Sequence, residues 1–459
     1  MEIAGELVFD QGLSDLTGFA LDGREFAVVG LIGSDAAVFV DITYPANPVE
    51  VGRISGTSST WRDLKYWNRH VYIGTEAQDG VKVISVDDPD NPVLVHTITD
   101  FTSSHNIHID VDGYLYVIGA ADHDVWIYEL TDHPEIPILV GTWIGEYLHD
   151  IEVYNNKIYG AGIYTGHFYI IDASDKTNPT TILSHQTGLD GISTHDCAVT
   201  DDEQYLITAD ETSGGHIKIW DISDYGNINL VSDYMTHPEH SVHNVYIRPQ
   251  TNLVIISYYV DGTRILDISD PVNPVEVGFY DTSELTGLFD GNWGTYAYLP
   301  SGYIISSDRQ NGLFIFSSPL TDSSLSWSDC DPEKNNWYGD YNEIEIAILE
   351  ELIELNPTLI GIQYDELVEV SFGNIITIDL ADWDLDSLIF PDDIGNLTNL
   401  ESLNIGGNNL TILPSTICDL PEDCSIDVSR NYLCLGELHL YAGCISNTGY
   451  QNCGECESG

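Results

Sequence analysis

The chain has 459 residues, of which 74 are acidic and 14 basic, giving a formal net charge of −60. That balance repels phosphate backbones and anionic bilayers, which removes nucleic acid as a partner, and no apolar run reaches the roughly 18 residues of a membrane-spanning helix. So long a chain calls for more than one domain, and so acidic a surface suits ion-rich surroundings and attracts divalent cations.

The start, MEIAGELVFDQ, has no basic region followed by an apolar stretch, so no signal peptide is expected within it. GELVFDQGL (5–13) reads as a lone strand. From Thr17 a unit then recurs. Its copies begin TGFALDGREFAVVG at Thr17, RDLKYWNRHVYIGTE at Arg62, HNIHIDVDGYLYVIG at His105, HDIEVYNNKIYGAG at His149, HDCAVTDDEQYLITAD at His195, HNVYIRPQTNLVIIS at His243 and NWGTYAYLPSGYIISSD at Asn292. The histidines are 44, 46 and 48 residues apart. Each copy holds a short strand, a turn rich in Asp, Asn and Gly, and a β-branched or aromatic strand. A third strand (VKVISV, HFYIID, IKIWDIS) then leads through an Asp-Pro or Asn-Pro turn, as in DISDPVNPVEVG (267–278), into a fourth. Four strands per ~45 residues make the blade of a β-propeller. The seventh copy stops at FIFSSPL without its fourth strand, and the spare strand 5–13 would complete it and close the ring. The expectation is a mainly β chain whose residues 1–320 form a seven-bladed propeller.

The first strand of each blade lines the central channel, so the residues at its start form a rim. Here these are Thr17–Gly18, Trp61–Arg62–Asp63, His105–Asn106, His149–Asp150, His195–Asp196, His243–Asn244 and Asn292–Trp293. A histidine beside an aspartate invites an acid–base reading, yet its repetition points to architecture. The weightier expectation is that rim groups hydrogen-bond backbone between neighbouring blades. Next is a metal or ligand site, with Arg62 pairing a ligand carboxylate. Catalysis stands last, because no unique nucleophile or triad partner accompanies the repeat. A second set of acids follows strand two: Glu76, Asp122, Asp210, Glu211 and Asp308. As oxygen ligands they are candidates for Ca²⁺. The DVDG at 110–113 reads as a hairpin turn.

The runs WRDLKY, HNIHID, THDCAVTDDEQYLITADE and NWGTYAYLPSGYIISSDRQNGLFIF resemble the choice-of-anchor B proteins, extracellular bacterial proteins built from LVIVD-type propeller repeats. The resemblance spans nearly all of residues 5–320. It implies a secreted or surface-anchored bacterial protein, and it supplies no catalytic residues to carry over.

Beyond the repeats, 321–340 reads as a Ser/Asp-rich linker, and Ile344, Ile346, Leu349, Leu352, Ile353 and Leu355 give an apolar helical stripe ending before Pro357. ITIDLADWDLDSLIFPDDIGNL and TNLESLNIGGNNLTILPSTICDL then align at a 23-residue shift, with Pro391 on Pro414 and Leu397 on Leu420. This is the pattern of a leucine-rich repeat, in which Asn408 would bond backbone inside the turn. The expected second domain, 341–433, is a short leucine-rich repeat solenoid behind a helical cap, with 434–459 as a cysteine-rich C-terminal cap. Seven of the eight cysteines lie in the last 130 residues, where disulfides are favoured over zinc. The remaining one, Cys197, reads as a buried small apolar residue.

Together these features point to a secreted or cell-surface protein that binds or builds without catalysis. Its contacts would be with protein, glycan or copies of itself, Ca²⁺-assisted and extending to a filament or surface-layer subunit. The rival is an extracellular propeller hydrolase or lyase with its site at the rim.

Overall fold

The computed structural model describes residues 1–318, apart from 121–122, 132, 189–192 and 250, and a discontinuous set from 348 to 451. The first part forms seven four-stranded antiparallel sheets, the blades of a propeller. Their inner strands are Leu13–Leu21, Arg62–Trp67, Asn106–Ile109, Asp150–Tyr154, Thr194–Val199, Val245–Ile247 and Asn292–Tyr296.

Each blade turns where the sequence places residues that tolerate positive φ. Asn155 and Asn156, at φ 46° and 59°, join the first two strands of blade 4. The middle strands are buried on both faces and therefore read as unbroken apolar runs, as in Arg24–Leu31. The outer strands alternate, as in Val275–Tyr280. The core lies between blades: Tyr116 and Ile118 of blade 3 pack with Ile151 and Ile158 of blade 4.

The last blade is closed as expected, with a different boundary. Glu2–Leu7, rather than 5–13, pairs antiparallel with Gly312–Ser317, from Glu2 opposite Ser317 to Leu7 opposite Leu313. The chain turns at Asp10–Gly12, where the Gly12 carbonyl accepts from Ile32 N–H, and Leu13 already begins the inner strand of blade 1.

In the C-terminal unit, Asn374–Asp379, Ser402–Asn404 and Ser425–Asp427 form a parallel ladder that sets Ile378, Leu403 and Ile426 in register. Asn408 accepts from Trp383 and Leu385 N–H and donates to the Leu380 and Ile405 carbonyls. Asn431 repeats the device one step on, bonding Leu410, Ile405 and Val428. Residues 348–349, 351–353 and 355 are helical, while the linker 321–340 and most of the cysteine-rich tail lie outside the described residues. Among the described residues the one disulfide joins Cys418 to Cys444, not to the nearer Cys424.

Deleting residues 1–7 strips the outer strand from blade 7 and exposes Gly312–Ser317 as a sheet edge. The expected outcome is a thermal midpoint lower by at least about 5 °C and new aggregation, read by calorimetry and light scattering. An unchanged midpoint would show that closure contributes little.

Candidate functional site at the channel mouth

The paired rim residues separate into two layers with different work. The second member of each pair points along the channel wall, and its side chain satisfies backbone that the sheet leaves unpaired. Asp63 accepts from the N–H of Leu64 and, across the junction, from Ile107 of blade 3. Asp196 does the same with Cys197 and with Val245 of blade 6. Residues two positions further along the strand continue the pattern. His108 Nε2 accepts from Val153 N–H, and Glu152 accepts from Val199 N–H. Ser14 exchanges two hydrogen bonds with the Arg62 backbone, His243 Nδ1 donates to the Trp293 carbonyl, and Glu25 accepts from the Ser301 amide and hydroxyl. Every blade-to-blade junction is thus closed by a polar side chain, the aspartate clamp serving two junctions and other groups the remaining five.

Three expected placements need correction. Blade 1 contributes Ser14–Asp15 to the rim, three residues before Thr17–Gly18, because SDLT aligns with RDLK. Blade 7 contributes Trp293–Gly294. Asn292 instead buries its amide against Thr263, and a Cβ at Gly294 would lie 2.0 Å from Asp15 Oδ1. Arg62, expected to pair a ligand carboxylate, has Nε and Nη2 committed to the Leu31 and Thr57 carbonyls and only Nη1 left for such a partner.

Within the channel, Lys65 is half-buried among carboxylates and holds Asp63 at 2.6 Å. Burial pushes Asp15 and Asp196 up to about 7 and Glu152 to about 8, and it raises Asp150 strongly, with neighbouring carboxylates adding to the shift. Burial also drives His108 down to about 3.

The histidines occupy the mouth itself. Ring centroids follow one another at 3.9 Å from His105 to His149, 4.1 Å to His195, 4.4 Å to His243 and 4.7 Å to Trp293. They face a small pocket of about 40 Å³ that Trp61, Arg62 and Glu211 also line. Burial lowers His243 to about 3 and holds His149 and His195 well below the usual imidazole range, so all three are neutral at physiological pH. Because the Trp293 carbonyl can only accept, His243 carries its proton on Nδ1 and presents Nε2 as a lone pair. The rings of His149 and His195 also meet the backbone of the histidine in the next blade, at looser geometry than the His243–Trp293 bond. The 3.9 Å separation of His195 Nε2 from Glu211 Oε2 is therefore a contact with a neutral ring, not an ion pair.

The acids after strand two do not share one site. Glu76 holds His105 Nδ1 at 2.6 Å, Asp210 pairs with Lys218, and Asp308 caps its own hairpin through Gln310 and Asn311 N–H. Asp122 lies outside the described residues. Glu76 reaches the mouth through His105, and Glu211 lines its pocket directly, with Oε1 accepting from the Tyr259 hydroxyl at 2.5 Å. Asp110 of DVDG closes its hairpin by accepting from Asp112 and Tyr114 N–H, and Cys197 is buried with its thiol pushed up. Sequence reasoning missed Tyr259, Lys65, His108, Glu152 and Glu25. The three on inner strands could have been found by reading two residues past each rim aspartate or asparagine.

Two segments, 147–187 and 260–282, match the LVIVD repeat. The chain carries LVIVD repeats on a seven-bladed propeller. Among curated proteins none matches. Among solved structures, the WD40 β-propeller domain of Doa1 aligns at a TM-score of 0.52 with 14% identity, covering 70% of this chain and 99% of that one. The computationally designed Ika8 protein aligns at 0.49 with 12% identity, covering 69% and 100%. At such identities the likeness to Doa1 shows the propeller fold alone.

Replacing Asp196 by Ala leaves two buried N–H groups without their acceptor and should cost about 2–3 kcal/mol in denaturant unfolding. Asp196→Asn keeps only one of the two acceptor oxygens and should recover no more than about half of that loss, and a negligible loss in either variant would contradict the clamp.

Glu152 binds its proton more tightly folded than unfolded. Its contribution is therefore present at low pH and lost as pH rises through about 8. The buried histidines act oppositely, losing stability as pH falls below about 6.5. The thermal midpoint should peak near neutrality and fall between about pH 6.5 and 8.5. Glu152→Gln should flatten the alkaline fall, and an unaltered slope would show that Glu152 does not carry it.

Proposed function

We propose that this chain is a non-enzymatic binding protein whose ligand contacts centre on the histidine-lined mouth of the propeller. The observation that carries this reading is the separation of the rim pairs. The rim aspartates are committed to backbone, so neither His149 nor His195 is paired with the aspartate that follows it, and among the described residues the carboxylate that hydrogen-bonds a rim imidazole is the exposed Glu76 on His105. No hydroxyl or thiol among the described residues hydrogen-bonds a rim imidazole. What lines the mouth is a row of closely spaced, mutually tilted imidazoles flanked by Trp61, Tyr147, Tyr259 and Trp293, a surface suited to gripping a flat or sugar-like group.

The resemblance to choice-of-anchor B proteins supports a secreted or cell-surface setting. The parallel ladder with its Asn408 and Asn431 supports reading the C-terminal unit as a short leucine-rich repeat module, a second contact surface. Calcium assistance and self-association follow from the acidic surface. The rival reading, a hydrolase or lyase at the same mouth, draws on the closeness of Glu211 to His195 and His243.

One experiment separates the two. The full chain is incubated with a panel of neutral and acidic polysaccharides, with and without Ca²⁺, and both retention and product formation are measured. Saturable retention of one polysaccharide, lost in Trp293→Ala and unaccompanied by new reducing or unsaturated ends, is expected. Turnover of any member would establish the enzyme instead.

A further inference from the structure

Of the rim histidines, two stand apart because a third ligand-bearing side chain meets them. His195, Glu211 and His243 each offer one ligand atom, and these atoms lie within 4.8 Å of one another. The rest of the rim offers the described residues no comparable group. From this geometry we infer that the channel mouth binds one divalent transition-metal ion through His195, His243 and Glu211, with zinc(II) the best match to two imidazoles and a carboxylate. The inference rests on the mouth being the binding site and names its chemistry.

The supporting shell is already built. Metal-binding imidazoles commonly donate their other N–H to a carbonyl, which fixes the ring and aims the lone pair. His243 does this through Nδ1 to the Trp293 carbonyl at 2.6 Å. Glu211 is oriented in the same way, since the Tyr259 hydroxyl occupies Oε1 and leaves Oε2 facing His195. His195 is buried, and its ring meets the His243 backbone of the next blade at looser geometry than the His243–Trp293 bond. The carbonyl of His243, in the next blade, is the group its proton would meet by analogy with the His243–Trp293 bond.

Bonds of about 2.1 Å set ligand atoms roughly 3.4 Å apart around a tetrahedral ion, so the three groups need to close by about an ångström. Three protein ligands leave a fourth position open toward the mouth. A ligand oxygen or nitrogen would take it, which gives the binding surface a directional anchor as well as an aromatic one. This donor set differs from the oxygen-only shell that Ca²⁺ prefers. The outward acids therefore are not needed for it.

The test uses the full chain, stripped with a chelator, dialysed and titrated with Zn²⁺ by calorimetry, with Co²⁺ as a spectroscopic probe. One equivalent should bind, insensitive to a large excess of Ca²⁺, and Co²⁺ should develop visible bands of nitrogen-ligated, four-coordinate character. His243→Ala and Glu211→Gln should each weaken Zn²⁺ binding by roughly 100-fold. Tyr259→Phe, which touches the ion only through Glu211, should weaken it by about tenfold. Far-ultraviolet circular dichroism of each variant confirms the propeller. The surface pair His237 and His240, whose rings lie 4.4 Å apart, serves as the control. The His237→Ala/His240→Ala variant should keep its one equivalent.

Absence of stoichiometric binding, displacement by Ca²⁺, unchanged affinity in the folded mouth variants, or loss in the control pair would each overturn the site. Failure of the binding reading registers elsewhere. It would appear as no polysaccharide retention by metal-loaded protein, and the Zn²⁺ titration would be unaffected.

Discussion

A closed ring of sheets leaves a recurring debt in hydrogen bonds. Each inner strand pairs on one side only, and its other N–H groups point toward the next blade in a channel too narrow for free water to serve them all. Buried amides without acceptors are costly, so the junctions need polar side chains. This protein meets that need with one side chain at each place: Ser14, Asp63, His108, Glu152, Asp196, His243 and Glu25. The blades are consequently similar in outline and unlike in detail. A blade could not be exchanged for its neighbour without orphaning two clamps, which ties the order of the blades to the sequence.

The same requirement explains why an apparent catalytic dyad is none. In His149–Asp150 and His195–Asp196 the two side chains leave the strand in different directions, as period-two geometry demands of adjacent residues. The carboxylate goes to the channel wall and the imidazole to the mouth. What looks like one chemical unit along the chain is two side chains with different partners in space, and imidazole and indole share the mouth pocket with Asp15, Asp63, Asp150 and Glu211.

Much of this was legible in the sequence. The spacing of the histidine-led copies and the missing strand after FIFSSPL were enough for seven blades and for closure by the N-terminus. Boundaries were less legible where residues of one type continue across a turn. In GELVFDQGL the apolar pattern runs past Leu7, and only the turn at Asp10–Gly12 shows that Leu13 belongs to another blade. The rim of blade 1 was misplaced because serine stands where histidine or arginine stands elsewhere, although the Asp-Leu that follows is shared with blade 2. The acids after strand two shared a sequence position and were expected to share a site. They diverge because a strand end is free to turn, so Asp210 and Asp308 found partners in their own blades while Glu76 met His105 and Glu211 lined the mouth pocket. The role of Asn408 could be foreseen from its place in the repeat, and that of Asn431 from the same offset one repeat later.

Lys65 gives the channel one further property. Among the described residues it is the cation whose charge the buried acids Asp15, Asp150 and Asp196 all register, and one cation cannot neutralise them. The remainder is balanced by protons that those carboxylates and Glu152 keep at neutral pH. The native molecule is accordingly less anionic than its composition implies, and it sheds protons when it opens. In calorimetry at neutral pH, its unfolding enthalpy would then vary with the ionisation enthalpy of the buffer, a heat that belongs to the solvent and reports the state of the channel.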